Sequence, residues 1–421
     1  MPAKPALPYP LETLPTLLEA AISPERLRLL RAIGAFAYHE GQAIYLVGGA
    51  PRDLLLGLPS PDLDLVLEGA APALAAGLAA RFGGKVLVHS RFGTAKWTPP
   101  DSEALDLVSA RSEAYSRPGA LPAVQTGTII QDLARRDFSI NTLAMRLDGP
   151  HYGEILDPWQ GYPDLQAGVI RVLHEASFTD DPTRILRAAR FAARFGYRLE
   201  AGSAALIGPA LAAIPAISGK RLRHELDLIL AEPSAPAALQ LLQDHLVLAA
   251  IHPLLAWSAA DLTRWEAAQP GQLSLAQRYA LWLLPLDADT LQSITRRLSL
   301  DRATAQLVLQ AAELNRCWPE LLSPQRSVRT RNLTTFSLPS LELMRQLHAG
   351  TPQESAWRDH LEAARFIRPF TTGKRLQALG LNPGPRYQQI LERLKDAWLD
   401  GELQNEQAEE TLLRSMLRDG Q

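Results

Sequence analysis

The spacing of apolar positions changes along this chain. Residues 14 to 41 show helical spacing, and Ser23-Pro24-Glu25-Arg26 supplies a cap followed by proline at a first helical position. Ile44 to Val47 is a short apolar and β-branched run that predicts a strand. Arg52 to Leu58 has room for one or two helical turns, and Asp62 to Leu67 then alternates as a second strand. Ala71 to Arg81 predicts a helix that stops at Gly83-Gly84. Lys85 to His89, Ala95 to Thr98 and Ala104 to Ser109 are further strand candidates between turn residues. The first 150 or so residues therefore read as mixed α/β with a sheet of four or five strands. From about residue 178 the strand signals fade and helical periodicity runs to the end. Pro209, Pro215, Pro233, Pro253, Pro270 and Pro285 punctuate that stretch as helix boundaries.

The bulk numbers narrow the class. A chain of 421 residues is too long for one core and predicts two to four domains. Hydrophobic residues make up 47%, so the chain is globular. A formal charge of −2 confines any basic surface to a local patch. The single cysteine, Cys317, excludes an intramolecular disulfide framework and a cysteine-rich zinc site, and fits a reducing cytoplasm. Met1 to Pro10 lacks a signal-peptide run, and no segment reaches the roughly 18 apolar residues of a membrane span.

The densest chemistry sits where the first two strands meet. Leu46-Val47-Gly48-Gly49-Ala50-Pro51-Arg52-Asp53 is followed by Asp62-Leu63-Asp64-Leu65-Val66. Glycines let the backbone approach a phosphate. Asp62 and Asp64 project from one face of a strand, because side chains alternate with a period of two. Their mutual repulsion is relieved by divalent cations, which also hold a triphosphate. Taken singly, the glycines suit an ordinary turn and the aspartates a solvated strand; together they point to metal-dependent nucleotidyl transfer. Asp106, on the strand candidate Ala104 to Ser109, is the expected third carboxylate, with an edge-strand charge as the plainer alternative.

Two more polar clusters follow. In Asp132-Leu133-Ala134-Arg135-Arg136-Asp137-Phe138-Ser139-Ile140-Asn141, paired arginines suit phosphate oxygens, Asp137 can orient a guanidinium, and Asn141 can meet a ribose hydroxyl. The plainer reading is a helix start capped by Asp137. After Asp180-Asp181-Pro182, the apolar stripe Ile185, Ala188, Ala189, Ala192 and Phe195 shares its helix with Arg184, Arg187, Arg190, Arg194 and Arg198. No acid follows within that helix, so an anionic partner is expected, although Asp181 also suits a simple N-cap. Residues 171 to 230 hold nine Lys/Arg against six Asp/Glu, so the basicity is local. Further on, Arg221 and Glu225 are spaced to pair across one helical turn. His224, His245 and His252 lack ligand spacing, and Asp359-His360 reads as surface.

These residues resemble the class II tRNA nucleotidyltransferases, the CCA-adding group that also includes bacterial poly(A) polymerases. Gly48, Gly49, Arg52, Asp53, Asp62 and Asp64 match its glycine-pair and Asp-x-Asp motif, and Arg135 to Asn141 its arginine-pair motif. Asp157-Pro158-Trp159-Gln160-Gly161 through Arg171 resembles its element before the neck. Asp181 and Arg184 match its nucleotide-selecting Asp-x-x-Arg, Lys220 to Leu226 its last motif, and Thr372 to Pro385 a C-terminal element of some members. Pro51 and Tyr162 depart from the pattern, at positions where an aliphatic residue and a glycine are usual. Residues 110 to 122 resemble the loop that differs among CCA-, CC- and A-adding members.

The resemblance implies an α+β fold: a DNA polymerase β-like nucleotidyltransferase head (20–170), then an elongated helical neck (171–235), body (236–340) and tail (341–421). It implies two Mg2+ ions on Asp62, Asp64 and Asp106, and a nucleotide held by Gly48, Gly49, Arg52, Asp53, Arg135, Arg136, Asp137 and Asn141. Base selection is expected at Asp181 and Arg184, supported by Arg187 and Arg190. The implied partners are CTP, ATP and tRNA lacking all or part of its 3′ CCA. CC-only addition, A-only addition, poly(A) synthesis and a non-catalytic RNA-binding role remain as alternatives.

Overall fold

The computed structural model describes residues 8–59, 63–89, 93–100, 103–114 and 123–418. The chain divides into two compact units, Met1–Pro253 and Leu254–Gln421. That division falls inside the segment 236–340.

The first unit is built on a sheet. Its strands are β1 (Ile44–Val47), β2 (Asp64–Leu67), β3 (Lys85–His89), β4 (Thr94–Thr98), β5 (Leu105–Ser109), β6 (Arg111–Ala114), β7 (Ala123–Thr126), β8 (Ala144–Arg146) and β9 (Ile155–Leu156). Seven of them form one sheet in the order β3-β4-β5-β2-β1-β8-β9, while β6 and β7 make a separate antiparallel pair. Within the large sheet, β2 and β5 run parallel and the other pairs antiparallel.

Period-two alternation divides the sheet into two chemically distinct faces. Ala95, Trp97, Leu105 and Leu107 are buried, whereas Lys96 and Asp106 between them are exposed. The apolar side is covered by α4 (Ala71–Phe82), which packs on β3, β4 and β5, and Trp97 donates its indole N–H to the Gly83 carbonyl at 3.0 Å. Ahead of the sheet lie α1 (Leu14–Ala21) and α2 (Pro24–His39), with the Ser23 side chain capping the latter. The helix α3 (Gly49–Leu55) starts directly after β1, at Gly48 with φ 79°.

The expected elements up to Ser109 appear within two or three residues of their boundaries. The sheet is larger than the four or five strands expected. β8 and β9 hold only three and two residues, too short to show a period; β8 is defined by pairing with β1, and β9 by pairing with β8. The arginine pair also differs from expectation. It ends a helix, α5 (Ile129–Ala134), that starts with a Thr128–Gln131 capping box, and a 3-10 turn at Ser139–Asn141 then leads into β8. No helix begins there for Asp137 to cap.

Beyond the sheet come α6 (Gly161–Ala167), α7 (Ser177–Asp180), α8 (Thr183–Phe195), α9 (Ala201–Ala205), α10 (Ile207–Ala210), α11 (Gly219–Ala231), α12 (Ala235–Asp244) and α13 (Val247–Ile251). β10 (Val169–Ile170) and β11 (Arg198–Leu199) pair in parallel across α8, so extended structure persists past residue 178. Pro209 lies inside α10 and Pro215 inside a 3-10 turn rather than at boundaries.

Every helix and turn of the second unit, among the described residues, packs without a strand. Its cores include Leu314, Leu333, Leu341, Met344 and Trp357, and separately Leu376, Ile390, Leu394 and Leu413. Asp359-His360 is not a surface pair. Asp359 accepts from Arg326 at 2.9 Å and Arg329 at 2.8 Å, whereas His360 is 2% exposed on the same face as Trp357. Neighbouring helix positions are 100° apart, so one residue of a charged dipeptide can be core. Burial pushes the His360 imidazole down to about 4.

Candidate nucleotidyltransferase site

Strand register builds the centre of the site. Leu87, Lys96, Asp106, Asp64 and Val47 face one another in turn across β3, β4, β5, β2 and β1. Partners in register project to the same side, so Asp64 and Asp106 stand on adjacent strands about 4.8 Å apart, opposite the face under α4. Lys96 reaches Asp106 at 3.4 Å. Asp62 lies outside the described residues. Among the described residues no three His, Cys, Asp or Glu side chains converge. The two carboxylates that do meet are hard oxygen donors of the kind that magnesium takes. Space is left beside them: a Cβ on Gly48 would lie 3.3 Å from Asp64 Oδ2 and 3.0 Å from Arg136 Nη1, and φ 79° independently disfavours a side chain there. A divalent ion therefore fits this face.

Beside the carboxylates is a cleft of about 700 Å³, within the size range of small-molecule sites. Nine arginines line it (Arg52, Arg111, Arg135, Arg136, Arg184, Arg187, Arg190, Arg194 and Arg221), against Asp64, Asp137 and Asp181. Such an excess of fixed cations favours a polyanion. Gly48, Gly49 and Asn141 line the same cleft. The structure thus gathers there all the expected described residues except Asp53 and Asp106. Asp53 accepts from Arg52 at 2.8 Å, and Asp106 stands one strand away from Asp64.

Buried acids hold these cations in place. Asp132, fully buried, accepts from Arg135 at 2.7 and 3.0 Å and from Arg136 at 3.1 Å. Asp137 Oδ2 forms an ion pair with Arg187 at 2.6 Å, and its other oxygen accepts from Asn141 Nδ2 at 2.8 Å and the Phe138 amide at 2.9 Å. The carbonyl of Asn141 in turn accepts from Arg52. Arg52 is 4% exposed, and its guanidinium lies over the Phe191 and Phe195 rings at 5.2 and 5.0 Å. Arg52 therefore ties the β1–α3 turn to α8 by cation–π contact as well as hydrogen bonding.

Acids from other elements pair with Arg187, Arg190 and Arg194 on the ridge of α8, while Arg198, expected on the same helix, lies beyond it in β11. Arg190 lies 3.4 Å from Glu232 and 3.9 Å from Glu225, and Arg194 donates to Glu232 at 3.0 Å. Desolvation lowers the pKa of Arg190 and raises that of Glu225, so this pair is retained at a burial cost to both charges. Glu225 thus faces Arg190, while Arg221 donates to Asp181 at 2.7 Å. Arg184 donates to Ser177 Oγ at 2.8 Å and to the Arg135 carbonyl at 2.7 Å, joining the Asp-x-x-Arg segment to the arginine pair.

Asp132, which braces the arginine pair, and Arg111, Arg194 and Arg221, which line the cleft, are not among the residues expected there from sequence. The spacing of Asp132 three and four residues before Arg135 and Arg136 was the available signal. Local spacing paired Arg221 with Glu225, and nothing in the sequence pointed it to Asp181. The loop resembling the variable element contributes β6 and leads into β7, and its residues 115–122 lie outside the described residues.

Paired carboxylates on a mixed sheet, beside an arginine-lined cleft walled by α8 and α11, fit a nucleotidyltransferase architecture. Residues 44–171 match the Poly A polymerase head domain. An A-adding tRNA nucleotidyltransferase of Halalkalibacterium halodurans is 34% identical over 95% of this chain and 94% of its own length. A CC-adding tRNA nucleotidyltransferase of Deinococcus radiodurans is 32% identical over 88% of this chain and 89% of its own. The Thermotoga maritima CCA-adding enzyme, solved with tRNA, superposes with a TM-score of 0.78 at 28% identity, covering 97% of this chain and 98% of that one. The chain belongs to the tRNA nucleotidyltransferase family of CCA-adding enzymes and poly(A) polymerases, and it is an enzyme. The family generally uses divalent metals. No described helix is long and apolar enough to cross a membrane.

Proposed function

We propose that this chain adds C and/or A residues from CTP and ATP, without a template, to tRNA lacking all or part of its 3′ CCA. The observation that carries this reading is the register of Asp64 with Asp106 at the edge of an arginine-lined cleft of nucleotide size. The tRNA 3′ oxygen bonds to the α-phosphorus, the α–β phosphoanhydride breaks, pyrophosphate leaves, and the hydroxyl proton passes to Asp106 or to water. Asp62, Asp64 and Asp106 would hold two Mg2+ ions. Magnesium held there would supply Lewis acidity toward the attacking hydroxyl and charge neutralisation for the leaving pyrophosphate.

The remaining work falls to the protein. Gly48 and Gly49 admit the phosphates to the backbone, and Arg52 with Asp53, Asp137 and Asn141 keeps that turn fixed. Arg135 and Arg136 face the triphosphate, preorganised by Asp132. Asp181 accepts from the exocyclic amine shared by cytosine and adenine, and Arg184 donates to the neighbouring ring acceptor. Uracil and guanine present a carbonyl to Asp181 and are repelled. Arg187 and Arg190 support that pair. Residues 20–170 would form the catalytic head, 171–235 the neck, and 236–340 and 341–421 the body and tail that grip tRNA phosphates. A cytoplasmic location suits this work.

A narrower second reading is A-only addition, favoured by the 34% identical A-adding relative spanning nearly the whole chain. Purified protein given tRNAs ending before C74, C75 and A76, with CTP and ATP separately, distinguishes the readings by product length; a long A tail identifies a poly(A) polymerase. Asp64→Ala is expected to abolish incorporation with tRNA affinity intact. Retained incorporation by that variant removes the carboxylate assignment.

A further inference from the structure

The proposed reading gives Asp181 the task of accepting from a base amine. A carboxylate does this selectively only if its plane is fixed and one oxygen is left for the ligand. Among the described residues, the hydrogen bonds drawn on Asp181 all end on a single oxygen. Oδ1 accepts from Arg221 Nη2 at 2.7 Å, from Thr183 Oγ1 at 2.7 Å and from the Thr183 backbone N–H at 3.1 Å. Asp181 is also a wall of the cleft, as is Arg221. The donors come from two elements far apart in sequence: Thr183 opens α8, and Arg221 lies on the first turn of α11, where Ser218 caps the helix through the Arg221 amide. Thr183 is buried, so its hydroxyl is not free to turn away to water.

We propose that Arg221 and Thr183 are positioning residues for nucleotide choice, saturating Oδ1 of Asp181 so that Oδ2 alone is presented to the base. This inference rests on the base-reading role of Asp181. Three donors on one oxygen leave the carboxylate no rotation by which to offer its other edge. An aspartate free to rotate can move aside for the uracil or guanine carbonyl, and its lone pairs no longer oppose the wrong base. Selection is then lost by relaxing a repulsion, which acts on the ratio between nucleotides more than on the rate with the right one. A simple helix cap needs only the Thr183 bonds; the Arg221 bond from a separate helix adds nothing to capping.

The test measures single-nucleotide incorporation into tRNA lacking its terminal residue. It compares kcat/KM for the cognate nucleotide (CTP or ATP) with that for UTP and GTP in the wild type, Arg221→Ala, Thr183→Val, Thr183→Ser and Asp181→Ala. Arg221→Ala and Thr183→Val are expected to lower the cognate-to-noncognate ratio by about tenfold or more, the scale of one charge-assisted hydrogen bond. Thr183→Ser, which keeps the hydroxyl, retains the wild-type ratio. An equal fall for all four nucleotides in both destabilising variants, with the ratio unchanged, overturns the proposal and leaves Arg221 a structural strut. If Asp181→Ala keeps its selectivity, the base-reading role itself fails. If Asp181→Ala loses selectivity while Arg221→Ala and Thr183→Val keep it, only the positioning role fails. Should Arg221→Ala not fold, Thr183→Val against Thr183→Ser decides alone.

Discussion

Replacing Asp132 by asparagine tests whether buried charge organises the phosphate end of the cleft. The residue is fully buried and makes three bonds to two guanidinium groups. Asparagine has nearly the same size, but it loses the charge and puts an amide donor against one of the two arginines. Breaking a buried charge pair costs about 3–5 kcal/mol. Here the side chains of Arg135 and Arg136 remain 20% and 16% exposed, so water recovers part of that and about 2–3 kcal/mol remains. For a unit of this size such a loss lowers the melting temperature by roughly 4–10 °C. Function should suffer separately, because both arginines line the cleft; KM for the nucleotide is expected to rise about tenfold, one lost charge-assisted contact. Differential scanning calorimetry gives the first quantity and single-nucleotide incorporation the second. A variant that melts within about 1 °C of the wild type, with an unchanged KM, refutes the view that Asp132 holds the arginines.

The buried imidazole of His360 sets a pH dependence in the second unit. Its folded pKa of about 4 lies below the ordinary 6.5, so the unfolded chain binds a proton first and stability is fully present above pH 6.5 and lost as pH falls toward 4. The loss amounts to about 3 kcal/mol across that window, and urea titrations at pH 7 and 4.5 should show His360→Leu losing less than the wild type. Equal acid sensitivity in the two proteins contradicts it. Gly161→Ala should destabilise the first unit by about 1–3 kcal/mol through overpacking, because the new Cβ would lie 2.3 Å from the Ser139 carbonyl. Since Ser139 opens the turn carrying Asn141, a thermal melt should fall together with nucleotide affinity; an unshifted melt shows that the turn yields without cost.

Local pattern was sufficient wherever one element carried its own signal. The strand before the glycine pair, the alternation around Asp64 and Asp106, and the capped helix at Pro24 each depend on neighbours within a turn or a pleat. For that reason the paired carboxylates Asp64 and Asp106 and the glycines beside Asp64 were legible. The same holds for the amphipathic stripe of α8, whose Ile185, Ala188, Ala189, Ala192 and Phe195 are all buried.

Contacts between distant segments were not legible, because charge pairing depends on distance in space and sequence gives only distance along the chain. The α8 arginines looked unpaired, yet Glu225 and Glu232 approach from α11 and the residue just after it. Asp359 and His360 looked alike, yet packing sent one to two arginines and the other into the core. β8 holds three residues and is defined by its pairing with β1 and β9 rather than by any period of its own. The sequence by itself determined which carboxylates, glycines and arginines are the candidates for holding metal and phosphate. Only the tertiary structure decided which oxygen of Asp181 is occupied and which acid restrains each arginine, since both depend on helices brought together by a core that neither helix encodes alone.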